Sequence, residues 1–289
     1  MKKIFIVGSV NTDFVISAPY IPVGGETLTG SGFFTARGGK GANQAVAASR
    51  LGGDVKMCAC VGDDLFGDES VKAFEKEGID VSHVRRVAGV PTGTAVVLVT
   101  NGENRIILDK GANDCLTKAD VDEFLKTAQT GDIYLTQLEN PIDVVGYGLK
   151  KAKEKGMFVV LNPAPANVEI LSYLGYCDLI TPNETELEIL GGKEKIQAKT
   201  SADIIVTLGK NGYQILTKNS ETRYPCTRIT AVDTTAAGDT LCGGLVARLA
   251  SGDDLIKAAA FGSKAATIAC TKKGAQPSIP TAQEVERFN

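Results

Sequence analysis

The sequence predicts an α/β fold: a mostly parallel central sheet flanked by helices on both faces, with a small β-sheet lid. Three observations carry this prediction. From residue 36 onward, short apolar segments alternate with helical ones, the pattern of strands joined by crossover helices. Two stretches, residues 14–34 and 92–110, break the alternation with runs rich in Thr, Val, Ile and Gly. Several polar motifs follow directly on apolar strands, where an open α/β sheet collects its ligands.

The run Ile4-Phe-Ile-Val7 reads as the first strand. It ends at Gly8 and is followed by Asn11 and Asp13, too short for the apolar core of a signal peptide. An alanine-rich helix is expected from about 42 to 51, stopped by Gly52-Gly53. Further strands are expected at 56–61, 132–135, 158–161, 178–180 and 204–207. Helices are expected at 70–77, 143–155 and 184–190. Leu241, Leu245, Val246 and Leu249 share one face of a helix that opens near Gly238. The lid is expected from two excursions, about 11–35 and 89–111, with turns at Pro22, Gly24-Gly25 and Asn101-Gly102. No linker composition or internal repeat divides the rest, so residues 1–289 are read as one catalytic unit.

Composition narrows the class. At 289 residues, 43% hydrophobic and 22% charged, the chain can bury a large core. A net charge of −3 gives no electrostatic case for nucleic acid or an anionic membrane. No apolar run approaches the roughly 18 residues that would cross a bilayer. Seven scattered cysteines without a C-x-x-C pair suit reduced thiols and a cytoplasmic location. Cys58 and Cys60 are expected on opposite faces of their strand. His83 is the sole histidine, and neither a nucleophile motif nor a zinc pattern points to it.

Two segments carry the chemistry. Asp233-Thr-Thr-Ala-Ala-Gly-Asp-Thr240 sets two carboxylates six residues apart around small residues that open a helix. The free N–H groups and positive dipole end of that helix attract anions. Ala236, Ala237 and Gly238 let an anion approach the backbone closely. Asp239 would repel it unless it has a proton to take, which suits phosphoryl transfer to a hydroxyl. A first-turn acid is also a common helix stabiliser. The second segment is Gly38-Gly-Lys-Gly-Ala-Asn-Gln44, three glycines in four residues ahead of the alanine-rich helix. It is no Walker A loop, because Gly41 stands where Ser or Thr would hold Mg²⁺. No G-x-G-x-x-G follows the first strand, so a dinucleotide enzyme lacks its fingerprint.

Together these segments resemble the two signature regions of the PfkB-type carbohydrate kinases. Supporting stretches span the chain, among them Gly8-Ser-Val-Asn-Thr-Asp13, Lys110-Gly-Ala-Asn113, Asn162-Pro-Ala-Pro-Ala166, Thr181-Pro-Asn-Glu-Thr-Glu186 and Lys273-Gly-Ala-Gln-Pro-Ser278. The resemblance implies the ribokinase-like fold and transfer of the ATP γ-phosphoryl group to a sugar hydroxyl, with O5 of D-ribose the expected acceptor. Deoxyribose, fructose, a phosphosugar or a nucleoside are the alternatives. It further implies a homodimer contact through the lid. A sugar-binding protein without catalysis is the competing class, and intact Gly238 and Asp239 argue against it.

Residue roles follow from the same resemblance. Asp13, Gly39, Lys40, Asn43 and Glu139 match sugar-binding positions, where carboxylates and amides grip vicinal hydroxyls. Asp239 matches both a sugar-binding position and the base, with Ala236, Ala237 and Gly238 as the anion hole. Asn183, Thr207, Gly209, Gly238 and Ser263 match nucleotide positions. Glu186 matches a Mg²⁺ position, while Asn183 and Glu186 equally read as an N-cap and its capping-box partner. Asp233, with the carbonyls of Thr235, Ala269, Lys272 and Gly274, matches a K⁺ site. Two departures stand out. The span between Thr185 and Thr207 is short, so one peripheral helix is expected to be reduced or missing. Ser263 replaces the His or Asn that relatives often set against adenine.

Overall fold

The computed structural model describes residues 1–101 and 103–288, so Gly102 of the expected Asn101-Gly102 turn lies outside the described residues. The chain opens with β1 (Lys3–Val7), β2 (Asn11–Ser17), β3 (Ser31–Gly38) and helix α1 (Lys40–Arg50). β4 (Asp54–Gly62), α2 (Leu65–Lys76), β5 (Asp80–Val87), β6 (Gly93–Thr100) and β7 (Glu103–Asp109) follow. Then come α3 (Lys118–Phe124), β8 (Ile133–Thr136), α4 (Ile142–Glu154), β9 (Phe158–Leu161) and β10 (Leu179–Ile180). Next are α5 (Glu184–Ile189), α6 (Gly192–Gln197), β11 (Asp203–Thr207), β12 (Tyr213–Leu216) and β13 (Glu221–Tyr224). Helices α7 (Ala237–Ala250), α8 (Leu255–Ala269) and α9 (Ala282–Arg287) complete the order.

Nine strands form the central sheet in the order β13-β12-β11-β10-β9-β8-β1-β4-β5. It is parallel from β11 to β5, and the β12–β13 hairpin adds an antiparallel edge. β1 explains the layering. Ile4 and Ile6 enter one core with α1, α7 and α8, whereas Phe5 and Val7 enter the other with α3 and α4. A strand covered on both faces must be apolar throughout. Cys58 and Cys60 lie together in the second core, so the expectation of opposite faces fails. Residues two apart on a strand share a face.

β2, β3, β6 and β7 build a second sheet, ordered β3-β2-β6-β7. β3 runs to Gly38, past the expected limit at 35, and delivers the chain straight into the Gly-rich loop. This sheet leaves large apolar side chains in the open: Phe33 is 61% exposed and Ile107 76%. Two six-residue helices, α5 and α6, occupy the shortened span. Among the described residues, no helix is long and apolar enough to cross a membrane.

Candidate active site

The mouth of α7 lies on the border between two cavities. One, of about 190 Å³, is bounded by Lys40, Asn162, Glu186 and Asp239. The other, of about 580 Å³, is bounded by Gly209, Arg228, Ser263 and Thr267. Thr207, Thr234, Ala237 and Gly238 belong to both. Ala236, the N-cap of α7, takes a left-handed φ of 59°, which turns the loop into the helix. The Ala237 N–H already donates to the Thr234 carbonyl at 3.2 Å. Gly238 faces open space, since a Cβ there would meet nothing within 4 Å.

Asp239 is buried yet borders the smaller cavity. Its Oδ2 accepts from Asn43 Nδ2 at 3.0 Å and its Oδ1 from Gln44 Nε2 at 2.9 Å. Close packing of α1 and α7 brings these groups together from residues almost 200 positions apart. Asn43 therefore commits one of its two amide hydrogens to Asp239. Its buried Oδ1 has no partner.

The Gly-rich loop is tied to the end of β8. Glu139 Oε2 accepts from Ser9 Oγ at 2.5 Å and from the Lys40 N–H at 3.0 Å. Gly39 is required here: φ is 90°, and a Cβ would stand 2.8 Å from the Asn11 nitrogen. Asp13 lies across the loop, its carboxylate 2.5 Å from where a Gly38 Cβ would be. Burial, reinforced by the charge of Glu139, pushes the Asp13 carboxyl up to about 6. The negative charge of Asp239, outweighing burial and helped by Glu139 and Glu186, holds the Lys40 ammonium above its usual range.

Asn183 and Glu186 form a full capping box on α5. The Glu186 N–H donates to Asn183 Oδ1 at 2.7 Å and the Asn183 N–H to Glu186 Oε2 at 2.8 Å. Burial raises the Glu186 carboxyl, against the pull of the Asn183 N–H and Lys40. Thr207, Gly209 and Ser263 line the larger cavity, and Thr207 also pairs with Asn183 in an isolated bridge. Asp233 organises the loop before α7. Its Oδ1 accepts from Thr235 N–H (2.9 Å) and Oγ1 (2.6 Å), and its Oδ2 from Gly274 N–H (2.9 Å). Burial would raise this carboxyl, but those bonds hold it below its usual range. The Ala269 carbonyl accepts from the Lys272 N–H at 3.0 Å.

Nothing in the sequence singled out Gln44, Ser9 or the Lys210 and Arg228 side chains beside the larger cavity. Gln44 does follow Asn43 directly, but neighbouring helix positions ordinarily face different directions.

A family model for pfkB family carbohydrate kinases matches residues 1–282. The chain belongs to this family. It is a phosphotransferase that acts on a sugar hydroxyl. A ribokinase of Haemophilus influenzae is 42% identical, with 99% of this chain and 98% of the relative covered. A deoxyribokinase of Salmonella typhi is 36% identical over 99% of this chain and 97% of the relative. The crystal structure of Thermotoga maritima ribokinase superposes with a TM-score of 0.87 at 35% identity, covering 99% of this chain and 98% of that one. Arabidopsis thaliana ribokinase complexed with ribose and ATP gives 0.85 at 28%, covering 100% and 99%. The fold is therefore the ribokinase-like one.

Proposed function

We propose that the chain transfers the γ-phosphoryl group of ATP to the 5-hydroxyl of D-ribose, with Asp239 as general base. The observation that carries this reading is the position of Asp239, on the smaller cavity beside the helix mouth that both cavities share, and aimed by two amide donors. ATP would lie in the larger cavity, its terminal phosphate at the α7 mouth beside Gly238. The sugar would lie against Asp13, Gly39, Asn43 and Glu139. In-line attack then needs only a proton acceptor on the sugar side, and Asp239 takes the proton late because the transition state is loose. Amides at the helix mouth and Lys40 stabilise charge on the transferring group.

Glu186 suits Mg²⁺: one oxygen is held by the capping box and the residue borders the smaller cavity beside the α7 mouth, so Mg²⁺ would neutralise phosphate charge there. Asp233 and the carbonyls of Thr235, Ala269, Lys272 and Gly274 offer the all-oxygen set that K⁺ prefers, ordering the loop ahead of Asp239. The second sheet acts as a lid that excludes water, and its exposed Phe33 and Ile107 suit a homodimer contact. Seven free thiols fit a cytoplasmic enzyme.

Deoxyribose is the second reading, favoured by the deoxyribokinase relative. A coupled ADP-release assay over pentoses, hexoses and nucleosides, each with Na⁺ or K⁺, tests both. Ribose is expected to give the highest kcat/KM, and K⁺ to raise it. Preference for deoxyribose, or equal weak rates on every acceptor, would refute the ribose assignment.

A further inference from the structure

A row of buried amides links α1 to the segments just after β8 and β9 and ends on Asp239. Gln44, Gln137 and Asn162 are all buried. Gln137 Nε2 donates to Gln44 Oε1 at 2.6 Å, which turns Gln44 Nε2 the other way. That nitrogen donates to Asp239 Oδ1 at 2.9 Å and to Asn162 Oδ1 at 3.0 Å. Asn162 Nδ2 in turn donates to the Thr181 carbonyl at 2.8 Å, so Asn162 shows Gln44 only its oxygen. Every neighbour therefore demands the same orientation of the Gln44 amide. Flipping it would set its oxygen against a carboxylate and a second carbonyl.

This arrangement is a poor device for stability alone. Buried amides carry a desolvation cost that apolar side chains of the same volume avoid. Gln137 Oε1 gains no partner in return, and it is pressed against Gly8, where a Cβ would stand 2.3 Å away. What the row does accomplish is a fixed N–H dipole on one oxygen of a buried acid, opposite the Asn43 donor on the other.

We infer that Gln44 is a positioning residue for phosphoryl transfer: it orients the Asp239 carboxylate, with Gln137 and Asn162 locking the amide. This inference rests on the reading of Asp239 as the base. The other ionisable groups that face Asp239 are Lys40 at the start of α1, Glu186 on α5 and Cys242 on α7. Substituting Gln44 leaves all three in place.

The test is Gln44→Met, close in volume and without donors, assayed for kcat and for KM of both substrates. kcat is expected to fall about tenfold, the size of one lost bond to a charged acceptor, while KM for both substrates changes less than about threefold, since Gln44 is buried and lines neither cavity. An unchanged kcat overturns the inference, whatever happens to thermal stability. If that variant does not fold, Gln137→Met keeps Gln44 but unlocks its amide, and a smaller fall in kcat is expected; no fall overturns the inference. Asp239→Asn separates the two readings. A fully active Asp239→Asn enzyme defeats the base assignment itself, whereas an inactive one beside an unchanged Gln44→Met kcat defeats only the role of Gln44.

Discussion

Gly243 on α7 faces Ala47 on α1 so closely that a Cβ on the glycine would stand 2.4 Å from the alanine Cβ. The same Cβ would come within 2.7 Å of the Ala48 nitrogen and 2.9 Å of the Gln44 carbonyl oxygen. Backbone cannot step aside as a side-chain tip can, so the helices themselves must separate.

That contact links packing to chemistry, because the same two helices carry Asn43, Gln44 and Asp239. Gly243→Ala is expected to destabilise the protein by about 1–3 kcal/mol, the usual cost of overpacking a core. It should also lower kcat, by spreading the donors away from the Asp239 carboxylate. Thermal unfolding and steady-state kinetics on one preparation check both. A destabilised variant with unchanged kcat would separate the packing from the site.

Asp239→Asn is expected to reduce kcat by about 10²–10⁴-fold, the range of a lost general base. Ribose and ATP affinities should stay near their original values, since Asn keeps the shape of the side chain and one hydrogen-bond acceptor. Isothermal titration for binding and ADP release for turnover supply the two readouts.

The raised Asp13 carboxyl predicts a pH dependence of sugar binding. Above about 6 it is ionised, and in the proposed role would accept from sugar hydroxyls; below that it carries a proton. KM for the sugar should therefore rise as pH falls through about 6. Burial is the larger cause and Glu139 the second, so Glu139→Gln should lower the midpoint only partly. The sign for stability is the reverse. The folded state holds this proton longer than the unfolded one, so the unliganded protein loses stability as pH rises from 3.8 towards about 6.

Ile107→Lys tests the exposed face of the second sheet. Sedimentation velocity is expected to show a dimer for the original chain and a shift to monomer for the variant. A monomer in both would remove the dimer contact from this sheet, and a dimer in both would move it elsewhere.

Strands and motifs differ in how legibly the sequence carries them. β9 spans 158–161, and β8, β10 and β11 start or stop within one residue of their expected bounds, because strands buried on both faces are continuous apolar runs between turn residues. β5 escaped notice: Asp80, His83, Arg85 and Arg86 give an edge strand a mixed character, with only one neighbour to satisfy. Helix α2 starts at Leu65 rather than 70, since its cap is Asp64, whose side chain accepts from Gly67 N–H at 2.8 Å.

What the sequence alone determined was the class of chemistry: small residues opening a helix before an acid, and a glycine loop before an alanine-rich helix, are local patterns set by backbone conformation. The partners of that acid were decided only in three dimensions. Asn43, Gln44, Asn162 and Asp239 meet because a sheet brings distant strand ends to one edge and because glycine lets two helices touch. No residue carries in its own identity the address of the group that will orient it.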